Sequence, residues 1–317
     1  MHYLGKTWGP GLRITPMQNV IETFGLTKLY PGGVIGIEDL SFAVQAGEIY
    51  GFLGSNGAGK TTTIRLLVNL IFPTAGRAAI FGKDAVKNRL EIAADIGYIP
   101  GSIKPQRHMT GEEFLAYMGS FYRRPDLDYR RELLARFGFS GRDLKRQIKN
   151  YSSGMAQKIS IIQAFQHRPR LLILDEPTEG LDPVMQHTFY DLLRDYRQGG
   201  GTVFVSSHHL REVEQVCDGV AIVRKGKLVA VEKVKDLLVS MARPIEVRFK
   251  DRVERADLEC PAWEIVRFEE QRLSARLTGD IDRVIKLLAR FPVADISLPN
   301  LSLEEVFLSF YQEEERT

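Results

Sequence analysis

The segment that most constrains the fold of this chain is a glycine-rich run at residues 54–61, which fits the pattern Gly-x-x-x-x-Gly-Lys-Thr. It directly follows a predicted strand, residues 48–53, and directly precedes a predicted helix over residues 60–70. Glycines at such a junction let successive backbone N–H groups curve around an anion at the N-terminus of the helix. The chain is therefore predicted to bind nucleotide phosphates between a strand and a helix of an α/β fold.

Two residues of this loop add a charge and a metal ligand to the backbone donors. Lys60 is predicted to reach the β- and γ-phosphates, and the hydroxyl of Thr61 is predicted to bind Mg²⁺. The alternative is a glycine-rich turn with a solvated lysine. The predicted nucleotide-binding residues of the segment are Gly54, Ser55, Asn56, Gly57, Ala58, Gly59, Lys60, Thr61 and Thr62.

A second group of candidate residues follows a short, continuous apolar run, residues 171–174, that is typical of a buried strand. The run ends in two adjacent carboxylates, Asp175 and Glu176. Burying two charges costs free energy unless a cation and a reaction use them, and ligands bind at strand carboxyl ends in open α/β sheets. Asp175 is predicted to hold Mg²⁺ through water, and Glu176 to accept a proton from an attacking water. The alternative for Glu176 is a cap for the next helix.

Strand-like and helix-like runs alternate from about residue 20 to residue 239, which predicts a parallel sheet covered by helices. One of the predicted strands of this region is residues 38–44. Thr110 and Glu113 form a capping box that opens a helix, so an all-helical insert is expected at about residues 103–167.

The remaining patterns lie towards the C-terminus. Residues 219–231 are predicted as a hairpin, and after Pro244 the order of strands and helices becomes βαββαβ, which is typical of a ferredoxin-like arrangement. The first helix of that order, near residues 253–258, has a weak pattern, and residues 303–311 are predicted to form a last, amphipathic helix.

Three domains are expected from these patterns. Residues 1–17 are rich in glycine and proline and are predicted to be a flexible leader, with Met17 as an alternative start of the protein. Residues 18–240 form the predicted nucleotide-binding domain, and residues 241–317 form a small α+β domain.

Composition excludes several classes of protein. The chain has 317 residues, of which 44% are hydrophobic, and its formal net charge of +3 is too small to predict a nucleic-acid partner. No apolar run approaches the about 20 residues that span a bilayer. Two cysteines without metal-ligand spacing indicate neither a disulfide framework nor a zinc site, so a reducing cytoplasm is the expected compartment.

Three further short segments complete a series that resembles the ATP-binding subunit of ABC transporters. Residues 151–155, Tyr-Ser-Ser-Gly-Met, resemble the family's Leu-Ser-Gly-Gly-Gln signature, with strict matches at Ser152 and Gly154. Residues 180–182, Gly-Leu-Asp, resemble its D-loop, and residues 206–208, Ser-Ser-His, resemble its switch-histidine segment. The resemblance implies that the nucleotide is ATP.

The resemblance also implies a fold and an assembly. The implied fold is a P-loop NTPase of ABC type: a parallel-sheet core with an antiparallel β subdomain and a helical subdomain, beside the small C-terminal α+β domain. The implied assembly is a homodimer arranged head to tail around two Mg·ATP. In that dimer Ser152, Ser153 and Gly154 of one subunit would meet the γ-phosphate bound by the other. Without the family, Ser152 is predicted to be the N-cap of a helix that runs to Gln166.

Three more residues receive roles only from the resemblance. Asp182 would couple the two sites of the dimer, and His208 would act with Glu176 in catalysis. His208 is preferred to its neighbour His209, which is predicted to be a surface residue in the first turn of a helix. Tyr30 matches the aromatic residue expected to stack on adenine, and its alternative is an ordinary aromatic residue at the end of a strand.

The sequence departs from the family at one position that concerns the metal. Gly101 follows Pro100 where many members carry a glutamine that contacts Mg²⁺ or water. Gln106 and a water molecule are two candidate replacements for the missing side chain.

This variant, Met155 in the signature and the sequence Ser-Leu-Glu-Glu-Val-Phe-Leu at residues 302–308 resemble bacterial ABC-2 type exporters, including drug-resistance systems. The expected partner is a separate polytopic transmembrane subunit, the expected location is the cytoplasmic face of the plasma membrane, and no nucleic acid is expected. A non-transport ABC ATPase that acts on ribosomes or DNA and an importer ATPase are the alternatives. A GTPase or small-molecule kinase is disfavoured because the guanine-reading Asn-Lys-x-Asp motif is absent.

Overall fold

The computed structural model describes residues 19–101, 106–122, 126–236 and 243–298. These residues fall into two compact units that divide between Lys233 and Val234, here called the N-terminal and C-terminal units. The predicted leader and the amphipathic pattern at residues 303–311 lie outside the described residues. In the described ranges, none of the helices is both long and apolar enough to cross a membrane.

A six-stranded sheet forms the centre of the N-terminal unit. Its strands are β4 (Ile49–Leu53), β7 (Ile96–Ile99), β8 (Leu171–Asp175), β9 (Thr202–Ser207), β10 (Gly219–Arg224) and β11 (Lys227–Lys233). They lie in the order β11-β10-β4-β9-β8-β7, and all neighbours are parallel except the pair of β10 and β11. Every residue of β4, β8 and β9 is buried, which explains why these strands appear in the sequence as continuous apolar runs.

A second, antiparallel sheet packs near the start of the chain. Its strands are β1 (Asn19–Tyr30), β2 (Val34–Leu40), β3 (Ala43–Gln45), β5 (Ala75–Ile80) and β6 (Lys83–Asp84). β1 pairs antiparallel with β2, β3 and β5. Together with the parallel sheet, this layer matches the predicted parallel core and antiparallel β subdomain.

The prediction of one strand over residues 38–44 was wrong, because the segment is divided between β2 and β3. Asp39 adopts left-handed backbone with a φ of 52°, and its N–H donates to the hydroxyl of Thr27 at 3.0 Å instead of to a ladder carbonyl. Leu40 and Phe42 are both buried on either side of the break. Asp39 is thus an irregularity within β2, which still pairs with β1 at Leu40 and ends there. The apolar alternation continues across the gap between Leu40 and Ala43, where one strand ends and the next begins.

Eight α-helices cover this unit in the described ranges. They are α1 (Lys60–Leu67), α2 (Arg89–Ala93), α3 (Gly111–Gly119), α4 (Leu127–Arg136), α5 (Gly141–Leu144), α6 (Ser153–Phe165), α7 (Pro183–Gln198) and α8 (Leu210–Val216). α3 to α6 follow one another in the predicted insert. The capping box of α3 is present, since the Glu113 N–H donates to the Thr110 hydroxyl at 3.2 Å and the Thr110 N–H donates to the Glu113 carboxylate at 2.8 Å.

α1 ends at Leu67, three residues before its predicted end at residue 70. Asn69, two residues beyond the last helical residue, has a φ of 56°. Asparagine tolerates this left-handed conformation, and it commonly terminates helices. The local backbone preference of Asn69 therefore overrides the apolar periodicity that suggested a longer helix.

The hairpin of β10 and β11 forms part of the support for the glycine-rich loop. Its turn residues Lys225 and Gly226 have φ angles of 48° and 81°, as a two-residue type I′ turn requires. The Gly226 N–H donates to the carbonyl of Ala58 at 2.9 Å. The tip of the hairpin is thus hydrogen-bonded to the glycine-rich loop.

Between residues 243 and 298 the C-terminal unit contains a four-stranded antiparallel sheet and one α-helix. Its elements are β12 (Arg243–Phe249), β13 (Trp263–Glu269), β14 (Arg272–Leu277), α9 (Ile281–Leu288) and β15 (Val293–Ser297). The order β13-β14-β12-β15 corresponds to 2-3-1-4 within the unit, as in ferredoxin-like folds. The predicted weak helix near residues 253–258 is a 3₁₀ turn, Arg255–Leu258, so the first crossover of this arrangement is short.

Candidate ATP-binding and hydrolysis site

The glycine-rich loop between β4 and α1 has backbone that only glycine adopts without strain. Gly57 and Gly59 have φ angles of 79° and 111°. A Cβ atom at Gly59 would lie 2.7 Å from the carbonyl oxygen of Gly36, which is closer than such contacts allow. The loop thus approaches its neighbours closely and turns its backbone at the N-terminus of α1.

Lys60 is the first residue of α1 and is only 5% exposed. Its ammonium group donates to the carbonyl oxygens of Gly54 at 2.8 Å and Ser55 at 3.2 Å, and it lies 3.1 Å from a carboxylate oxygen of Glu176. Lysine has three N–H donors, so these three oxygens match its full capacity. A phosphate group that enters the loop must therefore compete with protein oxygens for this ammonium group.

Asp175 ends β8 at the edge of the sheet beside the loop and is 1% exposed. One carboxylate oxygen, Oδ1, accepts a hydrogen bond from the Ser206 hydroxyl at 2.6 Å. The other, Oδ2, is buried and has no hydrogen-bond partner among the described residues. Because an orphaned buried carboxylate oxygen is costly and Mg²⁺ prefers oxygen ligands, the donor set fits the predicted metal site.

Gly101 lies against this free oxygen. A Cβ atom at position 101 would be 2.7 Å from Oδ2 of Asp175, so a longer side chain would fit only if the loop moved away. Gln106, one of the two candidate replacements for the missing glutamine, lines an apolar cavity with Pro100 and Tyr98. It does not donate to the free oxygen of Asp175 in this structure.

Glu176 lies between the lysine and the histidine that the sequence singled out. Its Oε1 is 3.1 Å from the Lys60 ammonium group, and its Oε2 is 2.8 Å from Nδ1 of His208. Its φ is 49°, an uncommon value for a residue with a side chain. The next helix, α7, is capped instead by Asp182, whose carboxylate accepts from the Met185 N–H at 2.9 Å. The alternative role of Glu176 as a cap therefore has no contact to support it in the described residues.

Ser206 holds both carboxylate-bearing residues, and sequence reasoning assigned it no role. Besides its bond to Asp175, its hydroxyl accepts from the Glu176 N–H at 3.1 Å, and its carbonyl oxygen lies 3.2 Å from the same N–H. It is fully buried and pairs with Asp175 in the parallel register of β8 and β9. One feature of the sequence does indicate this role: Ser206 lies at the end of a strand that is parallel to the strand of Asp175. The carboxyl ends of parallel strands meet at one edge of a sheet.

Ser206→Ala is expected to lower ATP turnover by about tenfold or more and to raise the Mg²⁺ concentration needed for half-maximal turnover. The variant removes a hydrogen bond to a charged group, which stabilises by roughly 1.5–3 kcal/mol, and frees the Asp175 carboxylate to rotate. Phosphate release as a function of Mg²⁺ concentration measures both effects. Ser160→Ala is the matched control, because this buried hydroxyl donates only to the Ala156 carbonyl oxygen within α6. Equal Mg²⁺ dependence in the two variants would contradict the role of Ser206.

The segment that resembles the signature forms the N-terminus of α6. The Ser152 hydroxyl accepts from the Met155 N–H at 3.2 Å, so Ser152 is the N-cap predicted without the family. Ser152 and Ser153 are exposed. A Cβ atom at Gly154 would lie 3.1 Å from the carbonyl oxygen of Gly180, so this segment packs closely on the one that resembles the D-loop.

Tyr30 lies beside the N-terminal turn of α1. Its hydroxyl is 3.4 Å from the hydroxyl of Thr62, and its ring leaves no room for a side chain at Gly36. It is the last residue of β1 and is half-buried. Tyr30 therefore lies both at the end of a strand and beside the first turn of α1, which follows the glycine-rich loop.

Comparison with known proteins gives a consistent family. Residues 37–179 match the ABC transporter family. The daunorubicin/doxorubicin resistance ATP-binding protein of Streptomyces peucetius is 32% identical over 314 residues, which cover 93% of each chain. The bacitracin transport ATP-binding protein of Bacillus licheniformis is 41% identical over 219 residues, which cover 67% of this chain and 69% of that protein.

Solved structures agree with this family and confirm the predicted fold class. The ATP-binding subunit of an ABC transporter superposes with a TM-score of 0.64 and 31% identity, over 69% of this chain and 91% of that one. A dimeric ATP-binding cassette in a post-hydrolysis state bound to ADP and Pi has the same fold, with a TM-score of 0.62 and 21% identity over 68% of this chain and 98% of that one. The chain belongs to the ABC transporter family, in which it is an ATP-binding subunit that hydrolyses ATP.

Proposed function

We propose that this chain is the ATPase subunit of an exporter, and that two copies pair head to tail around two Mg·ATP to drive a separate transmembrane subunit. Hydrolysis is supported by the position of Glu176, whose two carboxylate oxygens contact Lys60 and His208. The exporter role is supported by relatives named for daunorubicin/doxorubicin resistance, bacitracin transport and Nod factor export. A carboxylate beside a phosphate-binding lysine is within reach of a water that attacks the γ-phosphate.

The chain's own groups suggest how hydrolysis would proceed. The γ-phosphate would replace the Glu176 carboxylate as the counter-ion of Lys60. Glu176 would then orient the attacking water and accept its proton, while Nδ1 of His208 keeps the other carboxylate oxygen in place. Catalysis would come mainly from positioning and charge stabilisation, as in other phosphoryl transfers.

Thr61 and Asp175 are the residues proposed to hold Mg²⁺. The support is the free, buried Oδ2 of Asp175 and the place of Thr61 in the first turn of α1, next to Lys60. The ion, when bound, would neutralise negative charge on the β- and γ-phosphates.

A second copy of the chain would complete each site. The N-terminus of α6 exposes Ser152 and Ser153, and helix N-termini with free N–H groups attract phosphate. We assign Ser152, Ser153 and Gly154 to contacts with the γ-phosphate held by the partner's loop. Asp182, exposed at the start of α7, would couple the two sites, and Tyr30 would stack on adenine.

An apolar cavity of 440 Å³ is the proposed docking surface for the transmembrane subunit. It opens between the end of α1, α2, β7 and α3, and its lining includes Leu70, Ile92, Phe114, Tyr117 and Met118. Leu70 and Tyr117 are 61% and 45% exposed, so large apolar side chains face outward at its rim. Exposed apolar surface around a cavity is typical of a protein-binding site, and a cytoplasmic helix of a membrane subunit is the occupant that the proposed function provides.

The cavity is linked to the metal carboxylate by adjacent residues. Pro100 lines the cavity, and the next residue, Gly101, lies against Oδ2 of Asp175. Movement of a helix seated in the cavity would therefore shift the backbone that covers the proposed Mg²⁺ site. This connection offers a direct route from hydrolysis to the membrane subunit.

Leu70→Asp is expected to reduce co-purification with the proposed transmembrane subunit by at least about tenfold, because it introduces a carboxylate into an apolar interface. ATP turnover of the isolated chain should stay within about twofold of wild type. Pull-down from detergent-solubilised membranes of co-expressing cells measures the association. Val229→Asp, on exposed β11 and away from the cavity, is the matched control.

Transport in membrane vesicles separates the remaining alternatives. An exporter accumulates cargo in inside-out vesicles when ATP is added, whereas an importer does so in right-side-out vesicles with ATP inside. Daunorubicin and bacitracin, the compounds in the names of two relatives, are the first cargoes to test. An ATPase that acts on ribosomes would not co-purify with the membrane subunit, and that result would contradict the proposal.

A further inference from the structure

Glu212 joins three segments of the N-terminal unit through hydroxyl groups. Its Oε1 accepts from the Thr178 hydroxyl at 2.7 Å, and its Oε2 accepts from the Ser207 hydroxyl at 2.8 Å. Burial raises the pKa of the Tyr190 hydroxyl, and the nearby charge of Glu212 raises it further. Two hydroxyl donors thus meet on one half-buried carboxylate.

This arrangement is not the usual one for a glutamate in its position. Glu212 is the third residue of α8, where a glutamate ordinarily returns to the N–H of the N-cap residue. Here the N–H of the N-cap, His209, donates to the Ser207 hydroxyl at 2.9 Å, and that hydroxyl in turn donates to Glu212. The Ser207 hydroxyl thus lies between the N-cap N–H and Oε2 of Glu212. Oε1 of Glu212 is left to accept from Thr178, which lies on a different segment.

The two segments held by Glu212 are those that carry the proposed catalytic pair. Thr178 lies two residues after Glu176, on the way to the loop that ends at Asp182. Ser207 directly precedes His208. The contact of 2.8 Å between Nδ1 of His208 and Oε2 of Glu176 joins the same two segments a few residues away.

We propose that Glu212 is a positioning residue that fixes the switch-histidine segment relative to the segment of Glu176, and so sets the contact between His208 and Glu176. This inference rests on the proposed catalytic roles of those two residues. Because Glu212 contacts neither the glycine-rich loop nor Tyr30 in the described hydrogen bonds, its loss should affect the hydrolysis step more than the binding of ATP.

The test is a double-mutant cycle on the full chain, with turnover and KM for Mg·ATP measured for each protein. Glu212→Ala is expected to lower kcat by about tenfold and to change KM by less than about twofold. In a His208→Ala background the same substitution is expected to cost less than about twofold, since a residue that acts only through His208 has nothing left to position. Glu212→Gln retains one carbonyl acceptor and is expected to recover part of the loss.

Two further variants distinguish a loss of positioning from a loss of stability. Thr178→Val removes one hydroxyl of the cluster at nearly constant size and is expected to reproduce part of the effect on kcat, again only when His208 is present. Thr188→Val is the matched control, because the Thr188 hydroxyl donates to the Val184 carbonyl within α7 and should be dispensable. All rates are measured well below the lowest melting temperature among these variants. If Glu212→Ala does not fold, Glu212→Gln takes its place in the double-mutant cycle.

Each outcome bears on one proposal or the other. A full, multiplicative loss in the double variant, or an equal effect on KM and kcat, would overturn the positioning role of Glu212 while leaving the catalytic roles intact. A wild-type rate for His208→Ala would instead contradict the proposed function of that histidine. Non-additive kcat values with unchanged KM would support both.

Discussion

Replacing Glu176 with glutamine is expected to lower ATP turnover by roughly 10²-fold or more while ATP binding is retained. The amide preserves the size of the side chain but cannot accept the proton of the attacking water. Because Glu176 is also a counter-ion of buried Lys60, its neutralisation removes a competitor of the γ-phosphate. The variant should therefore bind Mg·ATP at least as tightly as wild type and accumulate as an ATP-bound dimer.

Two measurements check this expectation. Steady-state phosphate release gives the turnover, and light scattering with size-exclusion chromatography shows whether ATP converts monomer to dimer. Glu132→Gln, an exposed isosteric change on α4, is the control and should hydrolyse ATP at the wild-type rate. Near-normal turnover by Glu176→Gln would contradict the role of Glu176 as the base, and weaker ATP binding would contradict its competition with phosphate.

Mixing two inactive variants is expected to restore hydrolysis if each site is shared between subunits. Lys60→Ala removes the lysine of the phosphate-binding loop, and Ser152→Arg places a bulky cation at the exposed N-terminus of α6. Either variant alone damages both sites of its homodimer. In the heterodimer one site inherits both lesions, whereas the other combines an intact Lys60 with an intact Ser152.

The expected size of the recovery follows from random pairing. About half of the dimers are heterodimers and each has one good site of two, so about a quarter of the wild-type number of sites should return. Strict cooperativity between sites could suppress turnover, so trapped nucleotide is measured together with phosphate release. Isolated heterodimers that neither trap nor hydrolyse ATP above the parent variants would exclude the symmetric head-to-tail arrangement.

Several features of the fold could be predicted because local backbone chemistry determines them. The glycines of the loop at residues 54–61 allow left-handed backbone, and Gly57 and Gly59 use it. The capping box at Thr110 and the hairpin turn at Lys225 and Gly226 likewise depend on residues only a few positions apart. The prediction of a strand over residues 38–44 was wrong because the apolar alternation continues from Leu40 to Phe42 across the gap between β2 and β3.

Sequence patterns were sufficient to recognise the glycine-rich loop, the carboxylate pair and the order of the segments typical of the family, since each lies in a run of neighbouring residues. The folded chain was needed to show that Ser206 fixes Asp175, that Glu176 lies between Lys60 and His208, and that Glu212 accepts from hydroxyls on separate segments. Sequence spacing carries no information about such contacts. Their physical cause is the parallel order of β4, β9 and β8, which brings the carboxyl ends of strands distant in the chain to one edge of the sheet.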